Sequence, residues 1–223
     1  MNPPMKGTIT AFGFKKKTQE APAVQAAPVS VVDAPASGKI SLAKGGRINL
    51  EKRGAPIVIR NGWTAKGKDY DLKALVRYHD GRTVYVGAAN SDEKLSTVEG
   101  AVRHSGDATR AGEVETLTVA WHADIASIAV SSYSARENGA GSFKKYGVYV
   151  EIQNGDQIVG ISAEDASAAD SSYTLCFGEI TYGSNGQLAV TNLELYSAAG
   201  SEHRVGYKGD RVVMDIGPIG QMK

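Results

Sequence analysis

From Lys39 onward the chain is a succession of short runs rich in Val, Ile, Leu and Tyr, broken by clusters of Gly, Asn, Asp and Ser. Runs of this length and composition fit strands, because β-branched and aromatic side chains pack well on a pleated, half-buried surface. Candidate strands are 40–42, 47–50, 56–63, 71–78, 84–86, 98–104, 115–119, 125–133, 147–153, 157–161, 172–182, 188–195 and 211–215. They reduce to about eight or nine once broken pieces are joined. In Leu72-Lys73-Ala74-Leu75-Val76-Arg77-Tyr78 and in Val148-Tyr149-Val150-Glu151-Ile152, apolar and polar positions mostly trade places, the period of a strand with one buried face. Asn154-Gly155 and Asn185-Gly186 tolerate the positive φ of tight turns, so 147–161 and 172–195 read as antiparallel hairpins. No i, i+3, i+4 apolar face runs for the length of a helix; 143–146 reads as a turn and 162–169 as a loop. A sheet without helices to cover it must bury itself against another sheet. The expected fold is all-β, a two-layer antiparallel β-sandwich.

Ahead of the strands, residues 18–38 mix Ala, Pro, Val and Ser with no period of 2 or 3.6, which is linker composition. Pro22, Pro28 and Pro35 each fix φ and remove a backbone donor, so this stretch is expected to be extended and to stay out of the sheets. Gly7 to Lys17 is a short strand-like segment with two aromatics and a basic end. It reads either as a docking peptide on a tether or as a disordered leader. The chain thus divides into a flexible N-terminal tail, 1–38, and a β-sandwich domain, 39–223. Within the latter, 196–223 either completes the sandwich or reaches a partner.

Charge narrows the function classes. With Lys+Arg 25 against Asp+Glu 24, the chain has no basic excess to neutralise a row of phosphates, and nucleic acid is not the expected partner. No apolar run reaches the roughly 20 residues that cross a bilayer as a helix, and the start lacks the apolar core of a secretory signal. The cytoplasm is the expected compartment. The single cysteine, Cys176, sits between Leu175 and Phe177 and reads as a buried strand residue. His79, His104, His122 and His203 are scattered without zinc spacing. No Gly-x-Ser-x-Gly elbow or phosphate loop occurs, so nothing nominates a nucleophile and an enzyme is not expected.

The chemistry that does stand out is acidic. Asp69-Tyr70-Asp71 places two carboxylates at i and i+2, which point the same way in extended backbone and can meet one hard cation. A second acidic stretch, Gly106 to Glu115, can bring carboxylates and carbonyl oxygens to the same end of the sandwich. Such acids also cap turns, and that reading of Asp69 and Asp107 stands beside the first.

Several segments in order resemble the TerD-domain (tellurium-resistance, bacterial stress protein) family. They are Ile40-Ser41-Leu42-Ala43-Lys44-Gly45-Gly46-Arg47-Ile48-Asn49-Leu50, Gly62-Trp63, Asp69-Tyr70-Asp71-Leu72, His104-Ser105-Gly106-Asp107 and Phe177-Gly178-Glu179-Ile180, within residues 39 to about 196. The resemblance implies a two-sheet sandwich that binds calcium through acidic loops, of a kind found in operons of tellurite resistance, stress response and phage defence. It implies a metal set of Asp69, Asp71, Asp107 and Glu115, and a non-enzymatic module that works through protein partners or self-association. The sequence departs from that pattern at Lys73, where another acid is usual, and in a shortened acidic stretch that contains Arg110. Fewer carboxylates mean weaker calcium binding, and one site instead of two. The alternative function is a scaffold that assembles an oligomer or phage-like particle by adding its N-terminal segment as a strand to a neighbouring sheet.

Overall fold

The computed structural model describes residues 31–33, 37–51, 54–88, 92–108, 114–134, 143–164, 171–183 and 187–220. The segment Gly7 to Lys17, the Asn185-Gly186 turn and Arg110 lie outside them. Two sheets form the body. The larger runs in the order β1 (Val31–Asp33), β3 (Arg47–Leu50), β13 (Leu188–Tyr196), β12 (Thr174–Tyr182), β9 (Ile125–Ser134), β5 (Tyr70–Tyr78) and β6 (Thr83–Val86). The smaller runs β2 (Gly38–Ser41), β11 (Gln157–Ser162), β10 (Tyr149–Asn154), β4 (Ile57–Gly62), β8 (Thr116–Val119) and β7 (Val102–His104). A separate hairpin, β14 (Gly206–Lys208) with β15 (Arg211–Val213), follows.

The core between the sheets is built by alternation. From β5 it takes Tyr70, Leu72, Ala74, Val76 and Tyr78, and from the smaller sheet Ile57, Ile59, Leu117, Val119, Val150 and Ile152. Their removal from water, at about 25 cal/mol per Å² of apolar surface, is the main term holding the sheets together. The hairpin read at Asn154-Gly155 is present: Asn154 pairs with Gln157, and Gly155 has φ of 60°, a value that an L side chain rarely adopts.

Three features differ from the sequence reading. The stretch read as linker enters the fold, since Val31–Asp33 pairs parallel with β3; β2, which overlaps the strand expected at 40–42, begins at Gly38 and pairs parallel with β11. Pro22, Pro28 and Pro35 lie outside the described residues. Next, β5 and β9 are buried along almost their whole length and not on one face alone. Around Leu75 and Ala129 the cause is the third difference: 197–220 does not complete either sheet but lies against the outer face of the larger one. There Val205, Tyr207, Val212 and Met214 meet Leu75, Ala129, Cys176, Leu193 and Leu195. Cys176 is buried, as expected of a strand residue in that context.

A candidate metal centre at the seam of the two sheets

Strand β6 pairs with β5 only from Ala74 to Arg77, so the first residues of β5 have β9 on one side and, among the described residues, no strand on the other. Buried peptide groups left open in this way must find partners. Side chains from the smaller sheet supply them. Asn61 Nδ2 on β4 donates to Tyr70 O at 2.8 Å and to Ser132 Oγ at 3.1 Å. Leu72 N–H donates to Glu115 Oε2 at 2.5 Å, and His104 Nε2 lies 3.0 Å from Leu72 O. Glu115, just ahead of β8, and His104, at the end of β7, therefore clasp the larger sheet to the smaller.

The same contacts fix the imidazole. Gly106 N–H donates to His104 Nδ1 at 3.0 Å, so Nδ1 is an acceptor and Nε2 carries the hydrogen that faces Leu72 O. Glu115 Oε2 is 3.5 Å from the same nitrogen. Gly106, with φ of 101°, turns the chain directly after this anchor and brings Asp107 round towards Glu115. Ala108 N–H then closes the turn on Glu115 Oε1 at 3.4 Å.

Into this corner comes Asp71, two residues along β5 from Lys73 on the outer face of the sheet. Ligand oxygens of Asp71, Asp107 and Glu115 all lie within 4.8 Å of one another. Two oxygens bound to one calcium ion stand at most roughly 4.6–5.2 Å apart, twice the usual calcium–oxygen distance, so the trio can hold a metal ion of that size. Asp71 and Glu115 are buried and Asp107 is exposed, which leaves one side open for water ligands. Asp71 is not without partners. Its Oδ1 atom, however, is buried with no hydrogen-bond donor on it among the described residues. Mutual repulsion of three carboxylates this close is relieved by a cation.

Of the four acids read from the sequence, the structure brings together Asp71, Asp107 and Glu115. Asp69 lies half-buried just ahead of β5 and is not among the three. Lys73 does not serve as the trio's counter-ion by default: its ammonium pairs with Glu93 at 2.7 Å, both side chains buried, and sits over the Tyr133 ring. The contributions of His104 and Asn61 were not anticipated. Only the proximity of His104 to Gly106 and Asp107 along the chain signals the former.

No family model matches the chain, and no curated protein matches it. Among solved structures it is similar to SAV2460, a protein of unknown function, at 13% identity and a TM-score of 0.48 over 67% of this chain and 92% of that one. It is also similar to a homologue of the telluride resistance protein TerD, SCO6318 from Streptomyces coelicolor A3(2), at 19% identity and a TM-score of 0.46. That match covers 64% of this chain and 92% of the other. Neither likeness bears on what the site binds.

Proposed function

We propose that the chain is a non-enzymatic, calcium-binding module of the tellurium-resistance and stress-protein type, acting through protein partners. The observation that supports it is the convergence of Asp71, Asp107 and Glu115 from separate stretches of chain onto one point at the seam. Hard oxygen ligands suit calcium, and an ion there would bridge β5 in one sheet to the entry of β8 in the other. Its work would be to fix the surrounding loops as a surface for a partner. Three carboxylates with one exposed flank is a ligand set short of the six to eight oxygens calcium takes, so waters and carbonyls complete the shell and the affinity is modest.

The test is thermal unfolding of chelator-treated protein with added calcium. At a hundredfold excess over Kd, an ion that binds only the folded state stabilises it by about 2.7 kcal/mol. For a chain of this size that raises Tm by roughly 5–11 °C. Magnesium at the same concentration is expected to raise it less, because magnesium keeps its waters and demands tighter geometry. An unchanged Tm at millimolar calcium rejects the site.

A further inference from the structure

We infer that residues 198–220 form a strap that opens from the sandwich as a unit of its own, baring an apolar strip on the outer face of the larger sheet. The first argument is where its backbone hydrogen bonds go. Among the described residues, those made by 201–220 stay inside the segment: Ser201 N to Ala198 O, Arg204 N to Pro218 O, Gly217 N to Arg204 O, Gly220 N to Glu202 O, and the β14–β15 pairs. Its turns are closed internally as well. Asp215 accepts from Ala198 N at 2.8 Å and from Ser201 Oγ at 2.5 Å, and His203 Nδ1 lies 2.9 Å from Gly217 O. Ser201, His203 and Asp215 thus serve as turn caps and not as a proton relay. Backbone bonds to the sandwich occur at the base, Ser197 N to Thr174 O and Gly200 N to Ser171 O, where Gly200 has φ of 70°. Lifting the strap about that base breaks no sheet ladder.

What holds it down is side chains. Arg204 Nη1 reaches Glu93 Oε1 at 3.0 Å, its Nη2 contacts Asp92, and its guanidinium covers the Tyr85 ring. Tyr85 Oη donates to Val205 O at 2.8 Å. Tyr207 Oη donates to Glu179 Oε1 at 3.0 Å and meets Ser127 Oγ at 3.0 Å, while Arg77 lies over its ring.

The charges are arranged so that opening strands none of them. Glu93 keeps Lys73 at 2.7 Å when Arg204 leaves, Arg204 passes into water, and Asp92 is already half exposed. A buried ion pair that loses one partner is normally strongly destabilising, and here that penalty is avoided. The apolar contacts under the strap also form a cluster apart from the core between the sheets, so the latter survives intact. Local units closed by few apolar contacts open at lower free energy than the whole molecule. The strip uncovered contains Leu75, Ala129, Cys176, Leu193 and Leu195.

Cys176 reports the event. It is the only cysteine, it is buried beneath the strap, and burial pushes its thiol up to about 12, so the closed form is inert. The experiment is modification of the full-length protein by 4,4′-dithiodipyridine at increasing sub-denaturing urea. Opening of the strap exposes less surface than global unfolding, so the rate rises with urea along a limb much shallower than that of global unfolding and joins the steep limb only near the midpoint. Arg204→Met, or Tyr207→Phe should the first variant not fold, raises that shallow limb about tenfold. A rate that climbs with the slope of global unfolding from the lowest urea, no modification below the midpoint, or a shallow limb unmoved by either substitution overturns the inference.

Discussion

Glu115 does two jobs that substitution can separate. Its Oε2 receives the Leu72 N–H at 2.5 Å, where Leu72 and Glu115 are both buried, and its carboxylate is one of the three that converge. Glu115→Ala strips the acceptor and leaves a buried N–H unsatisfied, which costs about 1–3 kcal/mol without any ion. In chelator that lowers Tm by roughly 2–12 °C for a chain of this size. Glu115→Gln keeps a carbonyl for Leu72 but gives up the charge, so it recovers part of that loss while still abolishing the calcium-dependent rise in Tm. Asp107→Asn, at an exposed position, changes Tm in chelator by less than about 0.5 kcal/mol's worth yet abolishes the calcium shift as well. The assay is a calorimetric scan of each protein with chelator and with excess calcium. Equal Tm values for the Ala and Gln variants in chelator refute the clasp. A full calcium shift in either Asp107→Asn or Glu115→Gln refutes the ligand assignment.

Gly178→Ala is expected to be among the most damaging substitutions in the chain. A Cβ there would stand 2.3 Å from Thr191 O, in the irregular pairing between Cys176 and Gly178, and backbone cannot step aside as a side chain can; a loss of about 2–4 kcal/mol by urea unfolding checks it. Burial raises the Glu179 carboxyl above its ordinary range, against the pull of Ser127, Tyr207, Arg77 and Arg47. A raised folded value means that its stabilising contribution is complete below the ordinary carboxylate pKa of about 4.3 and is lost as pH rises through the folded value. Glu179→Gln therefore flattens the fall in stability above that pH, and urea midpoints from pH 4 to pH 8 that fall equally in both proteins contradict the assignment.

Strand identity could be read locally because the pleat imposes a period of two on each run by itself. Arg47–Leu50 coincides with its candidate, and β4, β5, β8 and β9 fall within a residue of theirs at each end. The run read as 98–104 shortens to Val102–His104, since 97–100 is a turn that leaves Val98 fully exposed. The acids of the site could be named as well, because a D-x-D ahead of a strand and a Gly-Asp turn advertise themselves in the chain. Which of them meet could not. Asp71 approaches Glu115 because Glu115 accepts from the N–H of Leu72, the next residue along β5, and that is a contact between the two sheets. Likewise Lys73 looked like a missing ligand, and only the fold reveals Glu93 as the partner of its charge.

By itself, then, the order of residues determined a sandwich of short strands, the hairpin at Asn154-Gly155, a buried Cys176 and a shortlist of carboxylates, since each follows from neighbours a few positions away. Tertiary structure alone decided that Val31–Asp33 joins a sheet, that His104 and Asn61 clasp the two layers, and that Arg204 reaches Glu93 from 111 positions along the chain. The physical reason is that hydrogen bonds and ion pairs act over a few ångströms of space. Contacts between distant stretches exist only once burial of the core has brought those stretches together.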